Sequence, residues 1–159
     1  MKISLSLVLL FFTAYLQAQT HQIIKHNDEK INVNFIKIEN NLIYYTFPES
    51  SEEKKISKYA VAQLNDKSNK SHFIASQKID ITKRADYKKV IILRETETIG
   101  LKKLETIRVF TPKIKGESNL STQERGERRL KEKAAFKGNP FFVIVSSKNE
   151  YLTAISYTY

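Results

Sequence analysis

The sequence predicts an α+β fold: a small β-barrel in the N-terminal half, followed by a β-sheet covered by one α-helix. Three observations predict it. Short apolar-polar alternations separated by Asn/Asp turn pairs recur from Ile23 to Ala75. One stretch of helical periodicity, around Leu130 to Lys137, stops at Gly138-Asn139-Pro140. Two continuous apolar runs, Val90 to Leu93 and Phe141 to Val145, have the composition of strands buried on both faces.

Taken in order, the first eighteen residues read as a secretory signal peptide, 1–18. Met1-Lys2 is a short positive start, Ile3 to Tyr15 is an apolar run, and Ala18 places a small residue at a cleavage point near Ala18 or Gln19. A membrane anchor is the alternative, although a spanning helix needs about 20 apolar residues. The barrel-like region follows at 19–79. Asn27-Asp28 and Asn40-Asn41 break "IIKHNDEKINVNFIKIENNLIYYTF" into three strands. In the second of these, Ile31, Val33 and Phe35 alternate with Asn32 and Asn34, but Ile36 and Ile38 then take the opposite parity. A period-2 pattern that changes phase inside a strand requires a bulge or sharp bend. Ile43, Tyr45 and Phe47 continue as one face. After the polar loop Pro48 to Lys55, residues Ile56 to Leu64 supply a strand and a helical turn, and His72 to Ala75 a last strand, giving a barrel of about five strands.

The second region, 80–159, opens with the Val90 to Leu93 strand. Gly100 marks a turn, Leu104 to Phe110 alternates, and Pro112 to Thr122 is a polar loop. A helix is expected from Ser121 or Thr122, with Ser121 and Glu124 as a capping box. Gly138 ends it, Phe141 to Val145 forms a buried strand, and Leu152 to Tyr159 an alternating one.

These segments resemble known proteins. "IIKHNDEKINVNFIKIENNLIYY" resembles the opening of a group of secreted Bacteroidetes proteins of unknown function, and more distantly an SH3-like or Sm-like barrel, with His26-Asn27-Asp28-Glu29 where the usual turn glycine stands. Leu130, Lys131, Ala134, Ala135, Gly138, Phe141 to Val145 and Ser156-Tyr157-Thr158-Tyr159 resemble the later part of the same group. Similar helix-turn-strand units occur in a small family named for heavy-metal binding and in an envelope stress-sensor lipoprotein. The resemblance implies a fold, but no catalytic residue.

The 159 residues carry a net charge of +10 and no cysteine. No disulfide is possible, nor the lipid-bearing cysteine of a bacterial lipoprotein, so a secreted or periplasmic chain would rest on its hydrophobic core alone. The charge favours anionic surroundings. Secretion argues against nucleic acid as partner, and no transmembrane segment is expected once the signal is removed. Abundant Lys, Asn and Ile is also the composition of AT-rich genomes, where lysine is common for reasons unrelated to binding. His21, His26 and His72 do not pair at ligand spacing, so no metal or cofactor is expected. No Gly-x-Ser-x-Gly elbow or phosphate loop occurs, and Glu52-Glu53 lies among lysines.

The helix offers the remaining candidates. At 100° per residue, Leu130, Ala134 and Lys137 share a core-facing stripe, where the Lys137 stem can follow apolar surface while its ammonium reaches water. Arg125, Arg128, Arg129, Lys133 and Phe136 lie elsewhere. Interleaved Glu124, Glu127 and Glu132 favour a solvated, salt-bridged face over a grip on a polyanion. The expectation is a non-enzymatic protein that binds a protein or an anionic envelope component, with Tyr44, Tyr59, Arg128, Arg129, Lys133 and Phe136 as contact candidates. Tyr45 is expected to pack in its strand. The alternative is a hydrolase or ligand-modifying enzyme with its site where the two regions meet.

Overall fold

The computed structural model describes residues 21–148 and 150–159, so the signal-like segment lies outside the described residues. The chain is α+β, with two sheets of six and four strands and one long helix. The first sheet comprises β1 (His21–Lys25), β2 (Lys30–Glu39), β3 (Leu42–Thr46), β4 (Glu53–Ser57), β5 (Val61–Asp66) and β6 (Ser71–Ile74), in the order β4-β3-β2-β1-β5-β6. All its pairings are antiparallel. Among the described residues no pairing joins β4 to β6. The ladder is therefore open, where the sequence suggested a closed barrel of five strands. Closure is partly replaced by bending, because the β2–β3 register slips between Phe35 and Lys37. That is where the apolar parity of β2 flips. Before the bulge Val33 is buried, while Ile36 in the bulge and Ile38 after it are exposed.

Asn40 and Asn41, at φ 52° and 61°, make the two-residue turn between β2 and β3, a conformation that Asn tolerates well. Ile23, Val33, Ile43, Tyr45, Ile56, Val61 and Leu64 pack into one core. Tyr45 is thus a core residue.

The second sheet comprises β7 (Ile91–Ile92), β8 (Lys102–Phe110), β9 (Phe141–Lys148) and β10 (Tyr151–Thr158), in the order β7-β9-β10-β8. The Val90 to Leu93 run is shorter as a strand than expected. It pairs in parallel with β9 at the sheet edge, with only Val90 and Leu93 buried. The helix α1 (Asn119–Phe136) covers one face. It starts earlier than expected: the Ser118 hydroxyl, not Ser121, accepts from the Ser121 amide at 3.1 Å. Arg125 reaches back to Glu117 at 2.7 Å and holds the preceding loop, which allows this earlier cap. At the other end Gly138, at φ 73°, sends its amide to Ala135, and the Asn139 amide returns to Ala134. This Schellman closure stops the helix where Gly138 was expected to stop it.

Leu130 and Ala134 are fully buried against Ile107, Leu152 and Ala154, as their stripe predicts. Lys137 does not simply extend into water: its ammonium lies 2.7 Å from a Glu105 carboxylate oxygen.

The two sheets share packing. The Ser57 amide donates to the Ile99 carbonyl, and Leu101 packs on the first core. Glu97, 4% exposed, accepts from Asn41 Nδ2 at 2.6 Å and from the Arg94 amide at 2.7 Å. Burial alone would raise its pKa, but the bonds from Arg94 and Asn41 hold it below the ordinary carboxylate value.

Gly100, at φ 86°, seats this junction, and a Cβ there would stand 2.6 Å from Ile56 Cγ1. Gly100→Ala is expected to destabilise by roughly 2–4 kcal/mol, combining left-handed strain with overpacking against a buried side chain. Gly116→Ala, at a similar φ with nothing within 4 Å, should show the backbone strain alone. Urea unfolding of both variants checks the difference.

Candidate functional site

The structure gathers three of the six contact candidates and separates the others. Arg129, Lys133 and Phe136 sit at successive turns on one side of α1, and the outer strand β8 runs beside them. Between the two lies a groove of about 470 Å³, lined by Arg84, Arg108, Val109, Phe110, Arg129, Glu132, Lys133 and Phe136. Arg129 Nη1 donates to the Phe110 carbonyl at 2.5 Å, and Lys133 Nζ to the Arg108 carbonyl at 2.8 Å. Both side chains satisfy edge-strand acceptors while remaining cationic. The Arg108 guanidinium carbon lies 3.8 Å from the Tyr151 ring centroid, and Tyr151 in turn packs on Phe110.

The charge of the groove is uneven. Its carboxylate, Glu132, is engaged by Arg84 at 2.5 Å and Arg128 at 3.2 Å. The Arg84 guanidinium, with Arg128 behind it, holds that carboxyl below the usual range, so it stays ionised and committed. Arg108, Arg129 and Lys133 make no ion pair among the described residues. Phe136, 76% exposed, and Phe110, 46% exposed, form apolar walls.

The salt-bridged face expected of the helix is therefore only half of it. Arg125 pairs with Glu117, and Arg128 pairs with Glu132 and lies over the Tyr87 ring. Arg129 and Lys133 have turned to the β8 backbone instead. Tyr44 stands apart, under the Lys37 ammonium, on a strand of the first sheet. Tyr59 is half-buried and packs on Phe141, so its place is in the junction between the sheets. Arg84, Arg108 and Phe110 were missed, because they reach the groove from distant segments. The available signal was the outward parity of Arg108 and Phe110 along an alternating strand.

A His-Ser pair occurs where the two regions meet. His26 Nε2 lies 2.8 Å from Ser76 Oγ, and the His26 ring packs on Tyr159. Ser76 Oγ also lies 2.9 Å from the Val61 carbonyl, which can only accept. The Val61 carbonyl competes with His26 for the one hydroxyl proton of Ser76. With that proton on the carbonyl the contact has His26 Nε2 as donor, an arrangement that does not activate the hydroxyl.

Burial, with Lys78 nearby, lowers the His26 pKa. A lowered folded value means that the unfolded chain binds the proton more readily. The stabilising contribution is therefore present above the ordinary value near 6.5 and is lost as pH falls toward the folded value. The thermal midpoint should drop as pH falls below about 6.5, and His26→Gln should flatten that drop.

Among the described residues, no group of His, Asp or Glu side chains converges as metal ligands, and no helix is long and apolar enough to cross a membrane. No family model, curated protein or solved structure matches the chain.

Proposed function

We propose that this chain is a secreted or periplasmic, non-enzymatic binding protein that holds an anionic partner in the groove between α1 and β8. The observation that carries this reading is the convergence of Arg108, Arg129 and Lys133, all without carboxylate partners among the described residues, between the exposed rings of Phe110 and Phe136. Unpaired cations in a concave, partly apolar site concentrate anions more strongly than the same charges scattered over a surface. The signal-like N-terminus supports a location outside the cytoplasm. The hydrolase alternative gains little from the His26–Ser76 pair, because the Val61 carbonyl competes with His26 for the one Ser76 hydroxyl proton.

The test is binding to acidic vesicles, an acidic polysaccharide and acidic peptides as salt rises from about 0.05 to about 0.5 M. Affinity for at least one of these should fall tenfold or more across that range. Affinity indifferent to ionic strength, or no binding to any of them, would overturn the reading.

A further inference from the structure

We propose that the outer edge of β8 is a strand-addition site for an extended acidic peptide, and that Arg129 and Lys133 cap this edge in the free protein. The proposal rests on the groove reading and names the partner class of the same site.

β8 ends the order β7-β9-β10-β8, so among the described residues its pairing with β10 leaves its other side without a strand. Backbone groups of alternate residues point to opposite sides of a strand. The Glu105 carbonyl meets Ser156 of β10 at 2.9 Å, while the Arg108 and Phe110 carbonyls are turned to the helix side chains. These two outward carbonyls are two residues apart, about 6.8 Å along an extended chain. They are the acceptors that an added strand would use, and Lys133 and Arg129 now occupy them. Exposed edges of this kind are commonly blunted by charged side chains.

The chemistry of the caps selects the partner. A neutral strand would displace Arg129 and Lys133 from their carbonyls and leave them with nothing better than water. A strand bearing carboxylates on every second residue brings an anion to each displaced cation at the same repeat. Its amides meanwhile take over the Arg108 and Phe110 carbonyls. Each cation exchanges a neutral acceptor for a charged one, a stronger bond, and no group is left unpaired. An apolar or aromatic residue in the peptide would pack between Phe110 and Phe136. A second copy of this chain is a poor occupant, because pairing two β8 edges would set Arg108, Arg129 and Lys133 against their own counterparts. Strand addition supplies affinity through main-chain bonds and specificity through alternate side chains.

The experiment uses the full chain and labelled octapeptides of alternating Glu and Thr with one Phe, read by fluorescence anisotropy. Comparison peptides replace Glu by Gln, gather the acids into one block, or carry N-methyl groups on the pairing amides. The alternating acidic peptide should bind at least tenfold tighter than each of the three. Backbone amides of Arg108 and Phe110 should gain hydrogen-exchange protection in the complex. The double variant Arg129→Gln/Lys133→Gln should lose tenfold or more for the acidic peptide, yet gain affinity for the Gln peptide because the caps are gone.

An N-methylated or blocked peptide that binds as tightly as its parent would overturn strand addition while leaving the anionic groove intact. If no acidic probe binds in a salt-dependent way, the groove reading falls with it. Acidic vesicles that bind tighter than every peptide, with the same dependence on Arg129 and Lys133, would replace the peptide by a lipid surface.

Discussion

Phe141→Ala is expected to destabilise the protein by about 3–5 kcal/mol, the usual range for emptying a fully buried aromatic site. Phe141 is 0% exposed and opens β9, where it pairs with Ile91 of β7. Its ring meets Tyr159 edge-on at 5.2 Å and Tyr59 at 5.8 Å. Tyr59 belongs to the turn between β4 and β5, so one side chain fills space between the two sheets. Loss of several kcal/mol is a large share of the roughly 5–15 kcal/mol that holds typical domains folded. Urea unfolding followed by far-UV circular dichroism and tyrosine fluorescence should show coincident transitions, both moved to much lower urea. Separated transitions would mean that the sheets unfold independently and that Phe141 stabilises only its own.

Leu130→Ala carries the second large effect, about 2–5 kcal/mol. Leu130 is fully buried where α1 crosses the sheet, beside Ile107 and Leu152. Its loss leaves the helix without its central anchor, and the side of α1 that lines the groove loses its support. Both stability and binding should therefore decline. Phe136→Ala separates the two roles. At 76% exposure that ring contributes little to folding, so the urea midpoint should stay nearly unchanged, within about 0.5 kcal/mol, while affinity for an aromatic-bearing acidic peptide drops. A variant of Phe136 that unfolds like Leu130→Ala would place its ring in the core rather than on the groove wall.

Much of the fold is legible locally. The parity flip in β2 locates its bulge, paired asparagines locate the two-residue β2–β3 hairpin, and Gly138-Asn139-Pro140 locates the helix stop, because each depends on a few neighbouring residues. The helix start is less legible. Ser118 and Ser121 are both competent caps, and the choice depends on Arg125 reaching back to Glu117. Whether the first sheet closes depends on long-range pairing that no short pattern encodes.

The groove is the least legible feature. Arg128 has Glu132 four residues on and pairs with it, whereas Arg129 has Lys133 there and turns to a strand edge from a different part of the chain, which no spacing on the helix foretells. Composition therefore overstated the balance of charge on this helix. Tyr59 illustrates the converse: expected as a contact candidate, it packs at the junction against Phe141, which lies far along the sequence.

The most direct measurement compares two double variants that each remove two positive charges. Arg129→Gln/Lys133→Gln removes uncompensated groove cations. Arg128→Gln/Lys88→Gln removes one cation already paired with Glu132 and one exposed lysine outside the groove lining. With both variants folded as judged by urea midpoint, affinity for the alternating acidic peptide should fall tenfold or more for the first and remain within about twofold for the second, although Debye-screened net charge is the same. Equal losses in the two would show that diffuse positive charge, and not this groove, attracts the anion.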